Sequence, residues 1–504
     1  MRYLFWLFTF FISFLMIHRP INVAQFSLPE RPGLLNETIT PIQGMLVTVK
    51  EVSELAVVEN LDVKMARLEL AGKAADVMSA KSRFDAEFSA DARYDWNKEE
   101  QASIVFGNKT ITGNVDARLT KKIPLGTEVS LFFNEQRNST DSAFASLNPN
   151  YESHTGIDVR QPLLENFFGF VDRGEVKIAK LALKSFKNET LNKIEASVFK
   201  AREAYWQYVR RIELAKLAEQ NYQIAKQFLE ITQQQFETGL KEEADLYAVE
   251  ANLRKRTDNL LRAHLDAKLA LNELKLQLHH ENDFIPEESL TYQPMEVDFD
   301  KSMAGALDHR RDYQAELVTL EAQGVQVKMN KSRLWPSLDF VGTFGGNGLD
   351  RDQKNAPGKA FSFQEPHYAG AFELRMPLEN REARARFQKA ESDLGIAQLQ
   401  LEKLMQQIYI EIENAYKTLN IKGEIVKQAA EIETLEQKKL EAEQAQFKVG
   451  RSSSKTIIDY QSDLVEAQIG KINTLTEYQI ARDQMLLVQN QLLASLGLTD
   501  ESAL

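Results

Sequence analysis

The 504-residue chain contains no cysteine. Thiolate metal sites, a thiol nucleophile, a disulfide framework and a lipoprotein anchor are therefore excluded. Proline and glycine are scarce, at 13 and 23 residues, which leaves room for long uninterrupted helices. A formal charge of -12 argues against a general nucleic-acid binder, whose phosphate contacts need clustered Lys and Arg. Beyond the N-terminus no segment is long and apolar enough for a transmembrane helix, so any later membrane passage requires strands. Nucleophile motifs and phosphate-binding glycine loops are missing too. The Gly-rich 342–348 stretch follows a strand without opening a helix and reads as a loop. His279 and His280 are adjacent, so on a helix they point apart; they read as a solvated helix end rather than a metal pair. No enzyme, cofactor or metal is expected.

What is present begins with an export signal over residues 1–24: Arg2, an apolar run from Tyr3 to Ile17, and a cleavage point after Ala24. Residues 25–45, with Pro29, Pro32 and Pro41, form an irregular lead-in. Val47 to Ser82 is helical in pattern, with Leu61, Met65, Leu68 and Ala71 on one face. Between Gly174 and Gly239 stand 64 residues without Gly or Pro, and 46 more precede Pro286. Apolar positions recur at coiled-coil spacing through Ala215, Tyr222, Ala225, Leu229, Thr232 and Phe236. They resume after Gly239 with Leu246, Val249, Leu253, Leu260, Ala267 and Leu271. Two antiparallel helices joined at a glycine tip account for both runs.

Elsewhere the period changes from 3.6 to 2. From Phe84 to Trp96 apolar and polar residues alternate without a break over 13 positions, with Tyr94 and Trp96 at one end, as a lipid-facing strand would. A hairpin follows, with Val115, Ala117 and Leu119 on one strand and Val129, Leu131 and Phe133 on the other, around Pro124-Leu125-Gly126. Residues 137–150 read as an exposed loop before a last strand through Thr155, Ile157 and Val159.

After a loose linker the sequence repeats. Ser82-Arg83-Phe84 returns as Ser332-Arg333-Leu334, and Arg160-Gln161-Pro162-Leu163 as Arg375-Met376-Pro377-Leu378. Gln235-Phe236-Glu237-Thr238-Gly239 returns as Gln446-Phe447-Lys448-Val449-Gly450. Leu338, Phe340 and Phe344 open a second strand pair, read as ending in a Gly-rich loop from Gly345 to Gly358. Matches in the same order mark a duplication. Residues 46–286 form the first repeat, with strands about 84–163 and a hairpin over 165–285. Residues 287–498 form the second, with strands about 337–377 and a hairpin over 379–497.

These Q-F-x-x-G tips, R-x-P-L junctions and doubled helix–strand–helix order resemble the TolC-like outer membrane efflux proteins, over Leu46 to Leu498. The resemblance implies a mainly α fold with membrane β: a homotrimer whose long coiled-coil helices form an α-barrel beneath a shared transmembrane β-barrel. It implies an outer-membrane location reaching into the periplasm, with contacts to outer-membrane lipid, a periplasmic adaptor and an inner-membrane pump of unspecified class. The expected role is a passive exit duct of tripartite efflux or type I secretion. A periplasmic coiled-coil scaffold is the alternative, though it leaves the alternating strand unexplained. Hairpin 113–135 exceeds the simplest family pattern; the expectation is a twelve-stranded trimeric barrel with an accessory hairpin.

Carried over residue by residue, the resemblance places an entrance ring aspartate at Asp459 and a lock aspartate at Asp245. The second ring position is Thr456. The lock's usual Arg and Tyr fall on Ser452 and Phe447, leaving Arg451 as a substitute. Three carboxylates in a narrow pore would attract cations; an Asp in a first helical turn equally favours the helix dipole. Gly239 and Gly450 suit the turns, and Thr238, Leu240, Val449, Arg451 and Ser452 would form the adaptor-docking rim. Pro162 and Pro377 mark the strand-to-helix junctions.

Overall fold

The computed structural model describes residues 44–504 apart from 101–104, 106 and 450. The export signal, nearly all of the lead-in and Gly450 lie outside the described residues.

The chain opens with β1 (Met45–Val47) and two helices, α1 (Val49–Glu59) and α2 (Leu61–Lys81). The single helix expected here breaks at Asn60, whose side chain accepts from Asp62 N and Val63 N and so starts a new helix. On α2 the buried residues are Val63, Ala66 and Val77. Leu61, Met65 and Leu68 form the opposite, exposed stripe.

Strands β2 (Ala86–Asn97), β3 (Thr110–Lys122), β4 (Glu128–Thr140) and β5 (Asn150–Pro162) follow. Phe84 belongs to a short 3-10 turn instead of the strand. The long helix α3 (Phe170–Glu237) has 68 residues, roughly 100 Å at 1.5 Å per residue. It turns into α4 (Glu243–Leu278), after which β6 (Phe284–Pro286) pairs in parallel with β1. The second half repeats the plan with α5 (Phe299–His309), α6 (Arg311–Ser332), β7 (Ser337–Asp350), a short α7 (Asn355–Phe361), β8 (Pro366–Arg375), α8 (Arg381–Lys448) and α9 (Ser454–Val488).

Six strands form one antiparallel sheet in the order β2-β3-β4-β5-β7-β8. Hairpin β3–β4 is no accessory: it pairs along its whole length with β2 and β5 at the centre of the sheet. The expected four-strand share per chain is therefore replaced by six. The register aligns Phe88, Leu119, Leu131, Ile157, Phe344 and Tyr368 across all six strands, on the apolar face. The other face carries ion pairs, Arg118 to Asp158 at 2.9 Å and Arg160 to Asp339 at 2.9 Å.

Two loop expectations fail. β4 runs to Thr140 and β5 begins at Asn150, so the exposed loop is shorter than 137–150. The glycines at 342–348 lie inside β7, and α7 occupies much of the remainder of the supposed loop. Their purpose is close approach: a Cβ at Gly346 would stand 2.3 Å from Ala360 O, and one at Gly348 would stand 2.1 Å from Ala356 O. Side chains there would lift α7 off the sheet, where Phe133 stacks on Phe361 and Phe344 on Phe363.

Sheet and helices are tied by duplicated residues. Arg83 and Arg333, the repeat-related arginines, converge on one carboxylate, Glu175, with Arg333 Nη2 at 2.7 Å. Left-handed asparagines follow both prolines: Asn380 is the N-cap of α8, and Asn166 opens the short 3-10 turn Phe167–Gly169 that leads into α3, whose own N-cap is Gly169. Asn166 Oδ1 accepts Val171 N at 2.8 Å, standing in for an ordinary cap.

Midway along the helices lies a collar where both halves meet. Glu195, fully buried, accepts from Leu492 N at 2.7 Å, from Asn490 Nδ2 at 2.8 Å and from Arg311. Asp483 receives Arg202 through two hydrogen bonds, 2.9 and 2.5 Å, and Trp206 Nε1 at 2.9 Å. A buried charge is tolerable when paired and hydrogen-bonded in this way. Tyr478, Ile408, Ile412 and Met485 form part of the apolar core beside it.

Candidate functional site

The candidate site is the pair of helical tips, assembled from Q-F-x-x-G and the first turns that follow. At the first tip Thr238 is the C-cap of α3 and Gly239 takes φ 76°. Leu240 N donates to Gln235 O at 2.8 Å and Gly239 N to Phe236 O at 2.9 Å. This is the Schellman pattern, which a left-handed glycine makes cheaply. The second tip shows the equivalent long bond, Arg451 N to Gln446 O at 2.9 Å. Gln446 stands where Gln235 does, so the same carbonyl of the repeated motif accepts the long bond at both tips.

The rim is open. Leu240 and Val449 are 75% and 66% exposed, and Thr238 and Arg451 are exposed as well. Ser452 Oγ instead bonds Glu443 Oε1 at 2.6 Å, bracing the second turn.

The acidic positions separate into different environments. Asp245 lies in the first turn of α4, half-buried; Asp459 lies on the exposed face of α9. Among the described residues neither carboxylate has a hydrogen-bond or ion-pair partner through its side chain. Among the described residues no hydrogen bond or ion pair joins Arg451 to Asp245 within one chain. Thr456 is occupied in capping: Ser453 Oγ accepts Thr456 N at 3.2 Å and lies 2.9 Å from Thr456 Oγ1.

What holds the tips together was invisible in the motifs. Phe228, Val249 and Ile457 form a small buried core with Phe447 and Ile458 against it. The Phe228 and Phe447 rings stand 5.8 Å apart, and Lys241 Nζ lies 4.6 Å from the Phe447 centroid. Phe447, expected only as a lost lock partner, thus joins the two hairpins. The doubled Phe of the motifs is unequal: Phe236 is 37% exposed. Among the described residues no cluster of metal ligands occurs and no helix is long and apolar enough to cross a membrane.

No curated protein matches the chain by sequence. Residues 304–491 match the family model described as outer membrane efflux protein. The fold is similar to the Campylobacter jejuni CmeC outer membrane channel, with TM-score 0.62 and 16% identity over 88% of this chain and 86% of that one. It is similar to the outer membrane protein VceC of Vibrio cholerae, with TM-score 0.64 and 14% identity over 88% and 95%. The open state of the Neisseria gonorrhoeae MtrE outer membrane channel matches with TM-score 0.62 and 13% identity over 88% and 89%. The chain is thus similar to the outer membrane efflux protein family over residues 304–491 and shares the fold of these outer membrane channels.

Proposed function

We propose that the chain is a passive exit duct in the outer membrane, working as a homotrimer with a periplasmic adaptor and an inner-membrane pump in tripartite efflux or type I secretion. The carrying observation is the sheet: six strands of 10 to 14 residues, one apolar face, and two unpaired edges in β2 and β8. Ten or so tilted residues cross a bilayer, but an open edge cannot stand in lipid, so the sheet must close with further copies. A trimer would hold eighteen strands, three times the six of one chain.

The helices support the same assembly. α8 exposes Ile421, Ile425, Ile432 and Leu435, and three of these line a groove of about 800 Å³. α4 exposes Leu261, Leu265, Leu269 and Leu276 on its outward side. Two different apolar stripes on one chain suit a head-to-tail contact that closes into a ring. In that ring Asp459 and Asp245 would sit near the entrance as repeated carboxylates, and the rim from Thr238 to Leu240 and from Val449 to Ser452 would receive the adaptor.

Electron microscopy of the detergent-extracted protein tests the reading. A three-fold hollow cylinder with a helical tube of roughly 100 Å is expected. A solid rod, a dimer, or a protein recovered without detergent would overturn it in favour of a coiled-coil scaffold.

A further inference from the structure

Between α3, α4 and α9 lies a groove of about 280 Å³, away from the tips and from the two apolar stripes. Three arginines line it: Arg211, Arg256 and Arg262. Two already have acids, Arg211 with Asp266 at 2.8 Å and Arg262 with Asp258 at 2.8 Å. Arg256 does not. It is only 7% exposed, and among the described residues its sole hydrogen bond runs from Nη2 to Ser462 Oγ at 3.0 Å.

Its remaining N–H groups therefore face the groove and not a protein acceptor. A buried guanidinium without a counter-charge is a large desolvation cost, and proteins ordinarily pair it. Burial pushes the Arg256 pKa down, the direction expected of a cation short of acids. One turn toward the tip, Asn252 is 7% exposed and its Nδ2 is a buried donor with no acceptor. Asn221 and Asn259 add amides to the groove wall. Asp266, the groove's lining carboxylate, is committed to Arg211, so among the described residues the positive charge of Arg256 has no protein counter-charge and Asn252 Nδ2 no acceptor.

We propose that this groove is an anion site, taking one small oxyanion such as phosphate or a free carboxylate on Arg256. The planar guanidinium fork matches two oxygens of such a group, and its other N–H groups are unspent. Arg256 is 7% exposed and shares a groove of about 280 Å³ with Leu214, Leu217, Val465 and Ile469, which favours a small free anion over an acidic side chain carried on a bulky partner helix. A bound oxyanion would sit on Arg256 of α4, beside Arg211 of α3 and against the apolar Val465 and Ile469 of α9, where the two hairpins meet. The site depends on neither the tip residues nor the trimer contact.

The test is isothermal titration of the full-length, detergent-extracted protein with inorganic phosphate, with chloride at matched ionic strength as control. Expected is saturable binding of one phosphate per chain. Arg256→Met should weaken it at least tenfold and Arg256→Lys less, while Arg254→Met, an exposed neighbour, should leave it unchanged. Melting followed at 222 nm adds a sign: in phosphate-free buffer Arg256→Met should melt no lower than the parent, because an uncompensated charge has been removed. Phosphate should raise the parent's Tm and not the variant's. Phosphate behaving as chloride does, or binding that survives Arg256→Met, would overturn the proposal. So would a glutamate-rich peptide that binds where phosphate fails, which would assign the groove to a protein partner.

Discussion

The collar and the tips are built from the same helices, yet they solve opposite problems. The collar buries charge and pairs it fully: Glu195 and Asp483 have their oxygens committed to donors from distant parts of the chain. At the tips Asp245 and Asp459 have no side-chain partner among the described residues, and a small apolar core joins the hairpins. Opening free energy varies along a structure, and moving parts are drawn from its weakly packed end. The comparison teaches where a helical body of this kind is held most lightly: at Phe228 and Phe447, away from the fully paired collar.

Breaking the collar should have the largest effect. Asp483→Ala leaves Arg202 and Trp206 buried without an acceptor and should cost about 3–5 kcal/mol, read as a fall in Tm. Adding Arg202→Met to that variant should recover much of the loss. A double variant as unstable as the single one would show that packing, and not the stranded charge, set the cost.

At the tips Phe228→Ala should cost about 3 kcal/mol or more, but locally. Hydrogen exchange should accelerate around residues 228–260 while residues 195–209 keep their protection. Uniform acceleration would erase the distinction between collar and tips.

Gly239→Ala is milder. Nothing lies within 4 Å of the added Cβ, so only the positive φ is strained, at about 1–2 kcal/mol. Exchange should rise at residues 236–242, with Tm almost unchanged.

Smallest in stability is Asp459→Asn, an exposed change expected to stay within about 0.5 kcal/mol. Its effect belongs to conduction: in planar bilayers the variant should show reduced cation selectivity. Unaltered reversal potentials would remove Asp459 from any ring.

The sequence made some of this legible for simple reasons. Period-2 alternation exposed β2 and the outward row on β3 and β4, and the glycine-free runs exposed α3 and α4. Repeated Q-F-x-x-G and R-x-P-L revealed the duplication, because local motifs survive where side-chain identity has drifted. What stayed hidden depends on distance. Gly346 and Gly348 have no side-chain pattern to mark a strand; only the α7 backbone against them explains their size. Leu61, Met65 and Leu68 were correctly read as one face, but periodicity does not say which face a chain covers by itself. Arg451 stands one position from the lock's arginine site at Ser452, yet among the described residues no bond joins it to Asp245. Glu195, Arg256 and Phe447 acquire their roles from residues tens to hundreds of positions away, a signal absent from any local window.

The shared carboxylate at Glu175 has a consequence for the history of the chain. A tandem duplication begins as two equal halves, each able in principle to stand alone. Here the first half keeps the acid and both halves send an arginine to it, Arg83 from its own side and Arg333 from the other. Separate expression of the halves would strand Arg333 with no carboxylate, while Glu175 would retain a partner. At Glu175 the dependence runs one way, while in the collar it runs both ways. Glu195 of the first half needs Arg311, Asn490 and Leu492 of the second, and Asp483 of the second needs Arg202 and Trp206 of the first. Neither copy keeps its buried charges paired without the other.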